Sequence, residues 1–240
     1  MTIKDFKKKK AAGEKITLLT AYDYPSASFL EKAGVDIILV GDSLAMSVLG
    51  YETTLPVTMD EMIHHTKAVR RGAKNSFLVG DMPLNGVSGS TDDTLKNADR
   101  FVKEAFCDAV KIEGAGEMLD KIKAVIKSGI PVMGHVGLTP QTADNFNVKG
   151  KDADSAQKII NDAKSLESAG VFSIILECIP DELARIITEK LSIPTIGLGA
   201  GPWCDGQALV TNDMLGLFEK FTPKFVKKYA NLSQEMLKAF

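Results

Sequence analysis

Five apolar segments of this sequence each end in an ionisable side chain, and those side chains carry most of the chemical information. Each segment has the length and β-branched composition of a buried strand, and helix-like segments separate them. The five side chains are Asp42, Asp81, Glu113, His135 and Glu177. Because the carboxyl ends of parallel strands meet at one face of a (β/α) barrel, we expect these residues to form one site.

Three of the carboxylates follow three consecutive predicted strands. Neighbouring parallel strands lie about 4.8 Å apart, so Asp42, Asp81 and Glu113 can reach one cation. Oxygen ligands of this kind select Mg²⁺ or a similar hard ion, which keeps positions open for substrate and water. The alternative is a buried network in which Lys111 neutralises the acids without a metal.

Side chains alternate between the two faces of a strand, which predicts where these residues point. Val40 and Asp42 are expected to share an inward face. The same spacing applies to Val79 and Asp81, and Lys111 shares its face with Glu113.

Glu177 ends the sixth predicted strand, which lies across a barrel from the second. It is therefore expected to face the metal rather than bind it. A carboxylate opposite a metal-polarised carbonyl can remove a proton from the adjacent carbon. The alternative is a capping or ion-paired acid before Pro180.

Other polar residues allow more than one interpretation. His135 is either a substrate contact or a hydrogen-bonded core histidine, and the consecutive His64 and His65 cannot share a helix face, which indicates structural roles. The glycine-rich segment Gly197–Gly201 lacks the G-x-G-x-x-G spacing of a dinucleotide site, so we interpret it as a loop that lines the pocket. Trp203 either stacks on a flat ring or is a half-buried loop residue.

The elements that must position these residues alternate along the chain. A capping box at Thr58 and Glu61 predicts the start of one helix, and Pro25 predicts the start of another. Strands are predicted over 16–21, 37–41, 77–80, 109–112, 130–134, 173–176 and 194–199, with a weak eighth at 207–210, and helices over 25–33, 58–72, 91–106, 117–128, 153–169 and 180–191.

Seven clear strands and one weak strand favour a (β/α)8 TIM barrel over an open doubly wound sheet. Both architectures share the same local pattern, so strand count alone makes this choice. Residues 85–90 and 138–152 are predicted loops, the second long enough to suggest a functional loop. We expect a single barrel domain over 1–240, with residues 222–240 as a helical tail.

Composition limits the class of protein further. The chain has 240 residues, is 45% hydrophobic and carries a net charge of −2, which argues against nucleic acid or an anionic membrane as a partner. The basic run Lys7–Lys10 is interpreted as a solvated face. Cys107, Cys178 and Cys204 lie far apart, which is typical of a reducing cytoplasm. No segment resembles a signal peptide or approaches about 20 apolar residues, so we expect a soluble cytoplasmic protein.

The same residues lie in a series of motifs that resembles the ketopantoate hydroxymethyltransferase (3-methyl-2-oxobutanoate hydroxymethyltransferase) family over nearly the whole chain. In order, these motifs are Thr20-Ala21-Tyr22-Asp23-Tyr24-Pro25, Val40-Gly41-Asp42-Ser43, Leu55-Pro56-Val57-Thr58, Gly80-Asp81-Met82-Pro83, Val110-Lys111-Ile112-Glu113, Gly134-His135-Val136-Gly137-Leu138-Thr139-Pro140-Gln141, Leu176-Glu177-Cys178-Ile179-Pro180 and Cys204-Asp205-Gly206-Gln207.

This resemblance implies a barrel of the phosphoenolpyruvate-mutase-like superfamily and a specific reaction. A one-carbon unit would pass from 5,10-methylenetetrahydrofolate to 3-methyl-2-oxobutanoate, giving 2-dehydropantoate on the route to pantothenate. It further implies a homo-oligomer, typically a decamer. By motif, the Mg²⁺ ligands would be Asp42, Asp81 and Glu113, the oxo-acid contacts Asp42, Ser43, Asp81 and Lys111, and the proton acceptor Glu177; we add His135 as a candidate substrate contact.

The chain departs from the family pattern in three places. Thr142–Gly150 looks shorter than usual, Leu84–Val87 replaces an aromatic and Ser-Tyr segment, and Asn212 stands where histidine is common.

Three other functions remain open. A C–C lyase of the same superfamily is one, although its Lys-Lys-Cys-Gly-His type of loop is missing. A Schiff-base aldolase using Lys111 is another. The third is a degenerate barrel that only binds a small acid.

Overall fold

The structure is a computed structural model that describes residues 1–240, and it contains a closed barrel of eight parallel strands. The strands pair in chain order, and the last pairs with the first, with Ile16 beside Gly206. They are β1 (Ile16–Thr20), β2 (Ile37–Val40), β3 (Phe77–Asp81), β4 (Ala109–Glu113), β5 (Val132–Gly137), β6 (Ser173–Glu177), β7 (Thr195–Leu198) and β8 (Gly206–Leu209). The predicted barrel is confirmed, including its weak eighth strand.

Helices connect the strands and cover the outside of the barrel. They are α1 (Ile3–Ala12), α2 (Tyr24–Lys32), α3 (Leu44–Ser47), α4 (Met59–Gly72), α5 (Leu84–Val87), α6 (Thr91–Ala105), α7 (Met118–Lys127), α8 (Ala153–Ala169), α9 (Asp181–Lys190), α10 (Thr211–Met214) and α11 (Leu232–Ala239).

Local sequence explains where several helices begin. The Thr58 hydroxyl accepts a hydrogen bond from the Glu61 amide, and the Glu61 carboxylate accepts one from the Thr58 amide, so the predicted capping box of α4 is confirmed. Asp152 caps α8 by accepting from the Ser155 amide. The loop that precedes α8 therefore ends at Asp152, where this cap fixes the start of the helix.

Strand side chains alternate between two buried clusters. The inner cluster fills the barrel and includes Leu18, Leu39 and Val79. The outer cluster lies between strands and helices, and it includes Val40. The prediction that Val40 and Asp42 share an inward face is therefore wrong. Regular β2 ends at Val40, and a turn rather than strand alternation directs Asp42 into the site.

An N-terminal helix closes the lower end of the barrel, which the sequence analysis did not predict. Phe6 of α1 is 1% exposed and packs edge-to-face on Phe77, with ring centroids 5.0 Å apart. Lys9 and Lys10 are partly buried and pair with Asp36 and Asp205 at 2.6 and 2.8 Å. The interpretation of the whole lysine run as a solvated face is wrong for these two residues.

Three other elements differ from their predictions. Strand β5 begins at Val132 and continues through His135 to Gly137, so His135 lies within the strand. Residues 84–87 form the short helix α5, which overlaps the predicted loop 85–90. Only Leu232–Ala239 of the predicted helical tail is helical, because residues 218–231 instead lie as an irregular segment over the barrel mouth.

We predict that Phe6→Ala will destabilise the barrel by about 3–5 kcal/mol, the usual result of removing a buried phenylalanine side chain. Denaturant unfolding measures this change. Phe29→Ala is the matched control, because Phe29 is 67% exposed and should change stability by about 0.5 kcal/mol or less. Equal effects of the two substitutions would contradict a sealing role for α1.

Candidate active site

A buried ion pair between β3 and β4 forms the centre of the site. Strand register places Asp81 beside Lys111. The Lys111 ammonium donates to both Asp81 carboxylate oxygens, at 2.7 and 2.8 Å, and lies 3.4 Å from Glu113 Oε1. All three side chains are at most 5% exposed. The ammonium therefore holds two carboxylates at the upper end of the barrel.

Asp42 joins this cluster from the turn after β2. Its backbone amide donates to Asp81 Oδ2 at 3.1 Å, and the residue is 6% exposed. The next residue, Ser43, lines the same cavity, and its hydroxyl lies 2.8 Å from the Tyr22 hydroxyl. The structure thus brings the sequence-predicted Asp42, Ser43, Asp81, Lys111 and Glu113 together.

Gln141 also belongs to the cluster, and sequence reasoning assigned it no role. Its side-chain amide donates to Asp42 Oδ2 at 3.0 Å and to the Met82 carbonyl at 2.9 Å. Its backbone amide donates to Glu113 Oε2 at 3.2 Å. Its place in the Gly134–Gln141 motif was the available signal. The start of the 138–152 loop is therefore tied to two of the predicted metal ligands.

His135 lies between two carboxylates on different sides of the cavity. Its Nδ1 is 3.3 Å from Glu113 Oε1 and its Nε2 is 3.3 Å from Glu177 Oε2. Neither ring nitrogen has good hydrogen-bond geometry, so the contacts are mainly electrostatic. Burial alone would lower the pKa of His135, but the charge of Glu113 outweighs burial and raises this pKa to about 9. His135 therefore links the predicted base to the acid cluster as a cation.

The backbone of Glu177 is fixed from both neighbouring strands. Its carbonyl accepts from the Leu138 amide at 2.8 Å, and the Cys178 amide donates to the Leu198 carbonyl at 2.9 Å. Gly137 has φ +101°, and a Cβ there would come within 2.2 Å of the Glu177 carbonyl oxygen. Cys178 has φ +47°, in a backbone region that residues other than glycine rarely adopt. Local backbone geometry thus aims the Glu177 carboxylate.

One cavity of about 450 Å³ at the carboxyl ends of the strands is lined by Asp42, Ser43, Asp81, Lys111, Glu113 and Glu177. Polar groups form its floor on the β2, β3, β4 and β6 sides. Apolar side chains form the remaining walls, and they include Leu18, Leu39, Ile175, Leu198, Phe146 and Phe225. Pockets of this size commonly hold a drug-sized ligand.

The cavity has more negative than positive charge. Five carboxylates line it, those of Asp42, Asp81, Glu113, Glu177 and Asp213, and the only lining cation is Lys111. The His135 ring lies beside the cavity, against Glu113 and Glu177. Burial, with the charges of Asp81 and Glu113, raises the pKa of Asp42 to about 8. By contrast, Lys111 and His135 overcome the effect of burial and lower the pKa of Glu113 to about 2. Within the acid cluster, Asp42 is therefore the carboxylate whose negative charge is least compensated by neighbouring cations.

Comparison with known proteins agrees with the motifs. All residues from 1 to 240 match the sequence profile described as ketopantoate hydroxymethyltransferase. The chain belongs to the ketopantoate hydroxymethyltransferase family.

Curated relatives support this membership along the whole chain. The 3-methyl-2-oxobutanoate hydroxymethyltransferase of Syntrophomonas wolfei is 54% identical over 242 residues, covering 100% of this chain and 88% of the relative. The Enterococcus faecalis protein of the same name is 55% identical over 238 residues, covering 98% of this chain and 86% of the relative.

Solved structures of low sequence identity share the fold. A phosphonopyruvate hydrolase in complex with oxalate and Mg²⁺ aligns with a TM-score of 0.67 at 13% identity, over 88% of this chain and 81% of that protein. A 2,3-dimethylmalate lyase described as a PEP mutase/isocitrate lyase superfamily member has a TM-score of 0.65 at 13% identity, over 86% and 80% of the two chains. This hydroxymethyltransferase family member therefore shares its barrel fold with these structures.

The donor chemistry and charge of the cluster fit Mg²⁺, although its three carboxylates do not surround one point. No group of three His, Cys, Asp or Glu side chains is arranged to hold a metal ion, because the Lys111 ammonium lies between Asp81 and Glu113. Mg²⁺ commonly takes only one or two carboxylates and completes its shell with water and substrate oxygens. Asp42 and Asp81 provide such a pair, and a divalent cation would offset the excess negative charge.

The remaining predicted features lie outside the cluster. His64 is exposed, and His65 Nδ1 contacts the Tyr22 carbonyl at 2.7 Å, which agrees with structural roles. Trp203 is 53% exposed and does not line the cavity. Within the glycine-rich segment Gly197–Gly201, only Leu198 lines it. No helix has the length and apolarity that crossing a membrane requires.

Two of the departures from the family pattern make local hydrogen bonds. The Asn85 side chain in α5 donates to the Val57 carbonyl at 2.9 Å, and the Asn212 side chain donates to the Ser47 carbonyl at 3.3 Å. Both asparagines therefore connect loops around the cavity mouth.

We predict that Gly137→Ala will greatly reduce activity, because the new Cβ must displace the Glu177 carbonyl and with it the carboxylate. Gly34→Ala is the matched control, since Gly34 has φ +74° but open space around its Cβ position. Both substitutions impose left-handed backbone strain of about 1 kcal/mol, measurable by denaturant unfolding. Only Gly137→Ala should lower kcat, and equal kcat losses would contradict the positioning argument.

Proposed function

We propose that this protein transfers a hydroxymethyl group from 5,10-methylenetetrahydrofolate to 3-methyl-2-oxobutanoate, giving 2-dehydropantoate, with Mg²⁺ bound. The observation that carries the proposal is the arrangement of Glu177 and the Asp81–Lys111–Glu113 cluster around one cavity. Names of relatives at 54–55% identity support the choice of substrate. The comparison with solved structures contributes only the fold.

The oxo acid would bind over the floor of the cavity. Its carboxylate and keto oxygens need cationic and hydrogen-bonding partners, and the Lys111 ammonium and Ser43 hydroxyl provide them. Asp42 and Asp81 would hold Mg²⁺ beside these groups, with Glu113, the third predicted ligand, next to them on the same ammonium. When bound, the ion would supply Lewis-acid polarisation of the keto group and so make the neighbouring C3–H bond more acidic.

Glu177 would remove the C3 proton. Its carboxylate projects from β6, across the barrel from β2, and is 14% exposed, so substrate can reach it. His135 contacts the same carboxylate at 3.3 Å and would keep it oriented toward the cavity. A carboxylate fixed in this way can transfer a proton when substrate lies within hydrogen-bond reach.

Lys111 would stabilise the enolate that results. Asp81 raises the pKa of the Lys111 ammonium enough to outweigh burial, so the group stays positively charged. A fixed cation in a site protected from water stabilises charge that develops during the reaction. Water adds to the folate methylene carbon and tetrahydrofolate leaves as the C–N bond breaks, which releases the one-carbon unit as formaldehyde. The enolate carbon then attacks this carbonyl carbon, and its oxygen takes up a proton to become the hydroxyl group of the product.

We also propose that the protein is a cytoplasmic homo-oligomer, of the decameric type that the family resemblance implies. Exposed apolar residues of the C-terminal segment support association between copies: Tyr229, Leu237 and Phe240 are each more than 60% exposed.

We predict that Glu177→Gln will abolish hydrogen–deuterium exchange at C3 of the oxo acid, measured by proton NMR without folate. The amide cannot accept the proton, so the exchange rate should fall at least about 100-fold, the usual size of a general-base contribution. Glu14→Gln removes the same charge from an exposed position and should retain wild-type exchange. Full exchange in Glu177→Gln would remove Glu177 from the base role.

We predict that EDTA will stop product formation from the two substrates and that added Mg²⁺ will restore it. Asp42→Asn should raise the Mg²⁺ concentration needed for half-maximal activity, since it removes one carboxylate from the metal site. Asp144→Asn, an exposed loop substitution, is the control. Unchanged turnover in EDTA would contradict the metal dependence.

A further inference from the structure

The cavity is larger than the oxo acid needs, and its two halves differ chemically. The acid cluster occupies the floor. The opposite upper wall consists of apolar side chains at the end of β8 and in the segment 218–226, three of which are phenylalanines. The residues of that wall are Leu209, Val210, Phe218, Phe221, Phe225 and Val226. An oxo acid of five carbons bound over the floor would leave this wall without a ligand.

Backbone hydrogen bonds hold the chain on the C-terminal side of these phenylalanines. The Tyr229 amide donates to the Met214 carbonyl at 2.8 Å, and the Leu232 amide donates to the Leu215 carbonyl at 2.9 Å. The Phe225 ring lies directly over Gly199, where an added Cβ would come within 2.5 Å of the ring. Phe225 therefore packs against the end of β7, and Phe218 and Phe221 line the same cavity.

One carboxylate in this apolar wall has no partner. Asp213 is 7% exposed and lines the cavity. No protein group donates a hydrogen bond to its carboxylate, and only the distant charge of Lys228 favours ionisation. Burial accordingly raises the pKa of Asp213 to about 6. This carboxylate therefore opens into the cavity without a protein donor, and a ligand bound there can supply its hydrogen bonds.

Asp213 does not belong to the acid cluster described above. It follows β8, which lies across the eight-stranded barrel from β4, the strand that carries Lys111 and Glu113. It also contributes nothing to binding a carboxylate substrate, which it would repel.

A reduced pterin matches the chemistry of this wall. Its flat ring can stack on phenylalanine faces, as nucleic acid bases do on aromatic side chains. Its 2-amino group and N3–H are adjacent donors, and one carboxylate can accept both in a bidentate arrangement. The unpartnered Asp213 carboxylate matches the donor edge of the pterin, and the neighbouring phenylalanine rings match its flat face.

We propose that Asp213 and the phenylalanines Phe218, Phe221 and Phe225 form the subsite for the pterin ring of the folate co-substrate. This inference rests on the proposed function, because it assumes that folate is the one-carbon donor. The subsite places the folate ring on the β7–β8 side of the cavity and leaves the floor to the oxo acid. The methylene group would then lie between the two.

The first test compares Asp213→Asn with Glu219→Gln. Glu219 is exposed and lies in the same chain segment but does not line the cavity, so it controls for lost charge at the mouth. Asp213→Asn should raise KM for methylenetetrahydrofolate at least about tenfold, because an amide replaces one acceptor by a donor. KM for the oxo acid should change about twofold or less, and Glu219→Gln should change neither.

The second test identifies the atoms that Asp213 contacts. Tetrahydrofolate and its 2-desamino-2-methyl analogue are titrated by calorimetry into wild type and Asp213→Asn. The analogue should bind wild type at least about tenfold more weakly than tetrahydrofolate, and this difference should largely disappear in the variant. An equal difference in both proteins would overturn the pairing of Asp213 with the pterin.

Phe225→Leu tests the stacking surface separately, because leucine keeps apolar contact with Gly199 but removes the ring. Tetrahydrofolate affinity should fall about fivefold or more, within the usual range for loss of one stacked aromatic. Unchanged affinity would exclude Phe225 from the subsite.

Exchange at C3 of the oxo acid separates failure of this inference from failure of the proposed function. Exchange needs no folate, so it reports folding and the oxo-acid half of the site. Wild-type turnover with an unaltered folate KM in Asp213→Asn would overturn the subsite alone. Absence of both exchange and folate-dependent product in wild type would overturn the proposed function, and the subsite with it.

Discussion

The buried ion pair between Lys111 and Asp81 is the constraint on which the site depends. An ammonium 2.7 Å from a carboxylate, with both side chains at most 5% exposed, forms only where the backbone holds the partners together. Breaking such a pair from one side costs several kcal/mol, since a lone buried charge remains. The barrel meets this condition through the register of β3 and β4. Glu113 contacts the same ammonium, and His135 contacts both Glu113 and Glu177.

Much of this arrangement was predictable from the sequence because strand ends carry positional information. Asp81, Glu113 and Glu177 each end a regular strand, and parallel strands end at one face, so their convergence follows from the strand count. The alternation rule also placed Lys111 correctly, since it lies inside a regular strand. The same rule failed at Val40, because regular pairing of β2 ends there and a turn determines the direction of Asp42.

Contacts between segments distant in sequence were not predictable. Gln141 reaches Asp42 across 99 residues of sequence, and no local pattern encodes that contact. The irregular segment 218–231 has a composition compatible with a helix, yet packing over the barrel mouth outweighs helix propensity. The role of Phe6 likewise depends on Phe77, a residue of another element. Tertiary packing thus determines the positions of these residues, which local sequence patterns do not specify.

The ion pairs of α1 have a consequence for the integrity of the cylinder. Lys9 pairs with Asp36, one residue before β2, and Lys10 pairs with Asp205, one residue before β8. Strands β2 and β8 are the two neighbours of β1, so this short helix fastens the seam where the first and last strands of the chain meet. A shortened protein that begins at β1 would have a weakened seam, exposing edge backbone groups that invite pairing between molecules. Removing α1 to aid crystallisation would therefore lower the solubility of the protein.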